Sequence, residues 1–141
     1  MNRKEAWQKF AQRAGYSQQE MDSVSLEDPR ARHVEKLAQA AGKYSILAEV
    51  QEAMGCNTGY KPGDRFLLDV DGNLISKLCP KRQCVYLVSQ FMLPVALINE
   101  RLSEGLDPNA THFAHQVRCQ DVGVGCEGYG QVRVKVSVVP R

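Results

Sequence analysis

The chain has 141 residues, 43% of them hydrophobic and 24% charged, with a net charge of +2. That length suits a single domain with one core, and so small a charge argues against a general affinity for nucleic acid or an anionic membrane. No apolar run approaches a transmembrane span.

The opening "MNRKEAWQKFAQRAG" lacks the apolar centre of a secretory signal. A cytoplasmic location follows as the expectation, with the thiols kept reduced. Five cysteines, an odd number, also fit poorly with a closed disulfide framework.

Residues 1–42 read as a helical N-terminal extension. Ala6, Trp7, Phe10, Ala11 and Ala14 recur at helical spacing, and Gly15 supplies a C-cap. Ser17 and Glu20 form a capping box that opens a short helix ending near Ser23. Asp28-Pro29 is an N-cap followed by proline at the first helical position. Val34, Leu37, Ala38 and Ala41 give that helix its buried stripe, and Gly42 ends it.

Residues 43–141 read as an α+β core. The branched, loosely alternating run 44–53 is a strand. "DRFLLDVDGNLIS" reads as a hairpin turning at Asp71-Gly72, a favoured type I′ pair, with Leu68 opposite Ile75. Cys84, Val88, Phe91, Val95, Ile98 and Leu102 step by four and three, which predicts one long helix over 80–104. Pro94 lies inside it and should kink it, because proline removes a backbone donor and crowds the preceding turn.

A second hairpin follows. Phe113, His115, Val117 and Cys119 share one face of its first strand. Val132, Val134, Val136 and Val138 share one face of the second, opposite Arg133, Lys135 and Ser137. The expected architecture is a mostly antiparallel sheet (strand, hairpin, hairpin) covered by the kinked helix.

"CQDVGVGCEGYG" joins the strands of the second hairpin and contains G-x-G-x-x-G. Dinucleotide binding would need a helix after this loop to hold the pyrophosphate. A strand follows instead, so the glycines read as a hairpin connection.

The cysteines form no C-x-x-C. Cys84 lies on the apolar stripe of the long helix and reads as core. Cys79 precedes Pro80 at the expected helix start, beside Lys77, Lys81 and Arg82, a setting that favours thiolate. His115 shares a face with Cys119 but stands roughly 13 Å away along the strand, too far to share a metal with it. Cys56, Cys79, Cys119 and Cys126 fall at element ends, where a zinc or iron–sulfur site could draw on them, with Asp64 and Asp121 nearby.

The segments "CNTGYKPGDRF", "LCP" and "CQDVGVGC" resemble the frame of a family of small uncharacterised bacterial and archaeal proteins. That frame runs Cys-x-x-Gly-His, a Gly-Asp turn, Cys-Pro, and a late Cys near an Asp, over roughly residues 44–139. Cys56, Gly59, Gly63, Asp64, Cys79, Pro80, Cys119 and Asp121 fall on it, whereas Tyr60 stands where the frame has histidine. The resemblance carries no function. It implies that Cys56, Cys79 and Cys119 are site residues ahead of Cys84.

Three functions fit these observations. The first is a small accessory protein or subunit whose cysteine cluster binds a metal or cofactor. The second is a thiol-dependent enzyme using Cys79, assisted by Asp64, Asp121 or His115. The third is a structural module that binds a protein partner or another copy of the chain, with the N-terminal helices as docking surface. Nucleic-acid binding ranks last, because Glu27, Asp28 and Glu35 break up the basic group Arg30, Arg32, His33 and Lys36.

Overall fold

The computed structural model describes all 141 residues, Met1–Arg141. Helix α1 (Arg3–Ala14) opens with a capping box in which Asn2 and Glu5 satisfy each other's backbone N–H. It closes at Gly15, whose left-handed conformation (φ 79°) lets its N–H reach the carbonyls of Ala11 and Gln12. Helix α2 (Gln18–Asp22) uses the Ser17/Glu20 box, and α3 (Pro29–Ala40) starts at Asp28, whose carboxylate accepts the Arg30 N–H.

These helices share a small core of Trp7, Val24 and Ala31, flanked by Phe10, Met21 and Val34. The Trp7 indole donates to the Met21 carbonyl at 3.1 Å, and Arg3 pairs with Glu35 at 2.7 Å to tie α1 to α3. The buried stripe of α3 is Ala31, Leu37 and Ala40, while Ala38 faces solvent. Leu37 and Ala40 dock on Val70 and Leu102, which joins the helical layer to the rest.

The sheet has four antiparallel strands in the order β2-β1-β4-β3. They are β1 (Tyr44–Met54), β2 (Arg65–Leu68), β3 (Gln116–Arg118) and β4 (Gln131–Pro140). Ile46, Ala48 and Val50 of β1 point inward beside Phe66, Leu68 and the four valines of β4. The register of β1 against β4 shifts between Val50 and Glu52, and past that irregularity Ala53 is the residue on the core. The one-residue slip explains why the alternation of this segment looks loose in the sequence.

Three expectations need correction. After β2 the chain forms no second strand, only a single bridge from Leu68 to Leu74, one residue short of the expected Ile75. The Asp69 carboxylate accepts the Asn73 N–H at 2.9 Å and the Asp69 N–H donates to the Asn73 carbonyl, so a wider loop closes around Asp71-Gly72.

The expected helix over 80–104 begins only at Val85. It runs as α4 (Val85–Val88), a 3₁₀ turn (Ser89–Phe91) and α5 (Met92–Ser103), not as one kinked helix. Pro94 offers no N–H to the Gln90 carbonyl, which lies in that tightened turn. Leu87, Phe91 and Ile98 of this segment join the strand residues in the main core.

Phe113 is 69% exposed rather than inward. Ala114 takes φ 62°, which breaks the strand before Gln116.

Candidate functional site

Cys56 lies past β1, half-buried, with its sulfur 3.0 Å from the Thr58 hydroxyl. Cys79 is extended, five residues ahead of the N-cap of α4, so the helix-start argument for its thiolate does not hold. Its thiol donates to the Leu67 carbonyl at 3.5 Å.

Cys84 is the N-cap of α4 and half-buried; it packs on the core without sitting inside it. Cys119 continues the β3 ladder by donating to Val132, and its half-buried side chain also meets the core. Cys126 is exposed in a 3₁₀ turn of the glycine loop. No three His, Cys, Asp or Glu side chains are arranged to hold a metal ion. The structure therefore does not form the expected convergence of Cys56, Cys79, Cys119 and Cys126 with Asp64 and Asp121.

The two aspartates hold turns. Asp64 accepts the Lys61 N–H at 3.0 Å. Asp121 closes the glycine loop by accepting the N–H groups of Gly123, Tyr129 and Gly130 at 2.9–3.2 Å. The N–H of Gly130, then those of Tyr129 and Gly123, hold this carboxyl below its usual 3.8. A Cβ at Gly128 would stand 2.1 Å from that carboxylate, and one at Gly130 would stand 2.5 Å from the Met54 carbonyl oxygen. The loop leads into β4 with no helix after it, so its glycines serve this packing rather than a dinucleotide.

Tyr60, in the place of the expected histidine, fills a structural position. It is 8% exposed and meets Phe66 edge-on at 5.5 Å. Its hydroxyl donates to the Arg82 carbonyl at 2.5 Å and accepts the Cys84 N–H at 3.0 Å. Burial pushes the phenol above its ordinary 10.0; the hydrogen bond from the Cys84 N–H works against this, and the charges of the Cys84 and Cys56 side chains and Asp64 add to it. In the sequence Tyr60 stands out only as a departure from the frame's histidine; its structural role is hidden because its partners lie more than twenty positions further along the chain.

His115 lines a cavity of about 240 Å³ with Lys135 and Ser137, and its buried Nδ1 has no protein partner. A larger groove of about 1200 Å³ runs between the N-terminal helices and α5, with Trp7, Phe10, Tyr16, His33 and Ser103 among its walls. His33 and Ser103 are hydrogen-bonded there. Ser103 is 4% exposed, and its hydroxyl donates to the Asn99 carbonyl at 2.9 Å. With that proton committed, His33 Nδ1 is the donor, and the pair ties α3 to α5 instead of activating a nucleophile.

Several large apolar side chains are exposed on the outward side of 85–103. Val85 is 69% exposed, Tyr86 66%, Met92 77% and Leu93 51%. Ser89 and Ala96 are exposed between and beyond them. Sequence reading followed only the deeper stripe of this segment and missed that the opposite face is apolar too. No helix is long and apolar enough to cross a membrane. No family model, curated protein or solved structure matches the chain.

Proposed function

We propose that this chain is a small accessory protein or subunit that works by docking an amphipathic helix on the outward face of residues 85–103. The exposure of Val85 and Tyr86 and, two turns on along the same side, of Met92 and Leu93 carries this reading, because a surface helix ordinarily turns polar residues to water.

Charge selects the orientation of the partner. Lys81 and Arg82 precede the helical segment, and Glu100 and Glu104 close it. A partner helix running antiparallel, basic near its own start and acidic near its end, meets opposite charge at both ends. The thiol-enzyme alternative lacks support of this kind, since the Cys79 sulfur contacts a backbone carbonyl and not a base.

The test is a titration of the isotopically labelled protein with a designed helical peptide carrying a leucine stripe and that charge order. Amide shifts confined to residues 81–104, weaker for a peptide of reversed charge order and lost in Leu93→Glu, are expected. Shifts that are absent, or that spread over the groove beside Trp7, overturn the reading.

A further inference from the structure

Resting on that docking face, we infer that its partner is a second copy of this chain, joined through an antiparallel, two-fold pairing of the 85–103 segments. The two-fold arrangement requires a surface complementary to itself, and the order of residues along this face supplies one. Antiparallel pairing centred at position 91 sets Arg82 opposite Glu100, Tyr86 opposite Ala96 and Ser89 opposite Leu93. Tyr86 and Leu93 then each face a small side chain, Arg82 faces an opposite charge, and all six residues are exposed.

The charges give an independent reason. Cations ahead of a helix and carboxylates in its last turn oppose the helix's own dipole. Lys81 and Glu100 take part in none of the ion pairs within the chain, and the Arg82 guanidinium contacts only the Asn57 carbonyl. Glu104 is paired with Arg32 inside the chain and Arg101 lies in the last turn, so the charges left without an ion-pair partner are Lys81 and Arg82 at one end of the segment and Glu100 at the other. An antiparallel copy brings each end against its complement.

A pairing of one short helical segment with its copy is expected to be weak, with a dissociation constant on the order of 10 µM. Sedimentation of the full chain over a range of concentrations spanning that value tests the inference. The apparent mass is expected to rise toward twofold and to stay at the monomer value in Leu93→Lys. Arg82→Glu and Glu100→Arg should each weaken association a few-fold, and the two together should restore it. Lys81→Glu should also weaken it, which covers the case in which losing the Asn57 contact disturbs Arg82→Glu locally.

A monomer at every concentration overturns the second-copy inference. The docking reading then stands or falls on the peptide titration. A dimer indifferent to Leu93→Lys and to the charge exchange overturns it as well.

Discussion

Tyr60→Phe removes one oxygen and leaves the ring. The aromatic contact with Phe66, at 5.5 Å and 84°, survives. Two backbone groups lose their partner: the Arg82 carbonyl, held at 2.5 Å, and the Cys84 N–H, held at 3.0 Å. A buried polar group left unpaired costs about 1–3 kcal/mol. Cys84 is half-buried and Arg82 exposed, so water recovers part of that, and a net loss of about 2 kcal/mol is expected. For a domain of this size the midpoint should fall by about 6 °C.

Urea unfolding followed by circular dichroism and by Trp7 fluorescence gives the free energy, with an unchanged slope showing that only stability moved. Amide exchange at Cys84 should quicken in the variant. A loss under about 0.5 kcal/mol, together with unchanged protection at Cys84, would refute the assignment of the hydroxyl as the tie between the core and residues 79–84. The phenol also predicts a pH effect. Its folded value lies above the ordinary 10.0, so the unfolded chain ionises first. This contribution to stability is whole below pH 10.0 and disappears as pH climbs through the folded value, and Tyr60→Phe should flatten that decline.

Gly130→Ala should destabilise by about 3 kcal/mol in thermal unfolding, since its Cβ would meet backbone atoms of Met54 and Gly55 at 2.5–2.6 Å. Gly42→Ala, with open space around the position, should be neutral or slightly stabilising. The amides of Gly123, Tyr129 and Gly130 should lose exchange protection in Asp121→Ala. In the parent chain their protection should hold above pH 3.8 and fall as pH drops through the lowered value of this carboxyl. Protein purified without oxygen should contain substoichiometric zinc and iron by elemental analysis, because no three donors are arranged to hold an ion; a full equivalent would show that the thiols rearrange to bind one.

The parts of the fold governed by neighbours in sequence were legible. Ser17 with Glu20, Asp28 with Pro29, and the alternating valines of β4 announce their roles within a few residues. Errors arose where two local signals compete. Asp69 captures Asn73 and overrides the Asp71-Gly72 turn pair. Cys79-Pro80 has the look of a helix start, yet the helix begins only after Cys84 caps it, which moved the expected start five residues too early.

Phe113 continues an alternation that Ala114 ends by turning left-handed, something no composition rule marks. For the site, cysteines at element ends suggested convergence, but several ends can abut one core without their sulfurs meeting. Three of these thiols, Cys56, Cys79 and Cys119, do pack against the same apolar cluster. The role of Tyr60 depends on a loop returning from far along the chain, and no local pattern encodes that.

The pairing of β1 with β4 sets a constraint on synthesis. β1 is complete at Met54, and its inner-edge partner begins only at Gln131. While the intervening chain leaves the ribosome, β1 has just the four residues of β2 beside it. Its other row of backbone N–H and C=O groups stays open, and Ile46, Ala48 and Val50 lack the β4 valines that stand beside them on the core face. Such an edge is a template for pairing with neighbouring chains, so the nascent protein passes through an aggregation-prone stage that closes when β4 arrives. A message broken before codon 131 would hold its product at that stage, a natural substrate for chaperones and proteases.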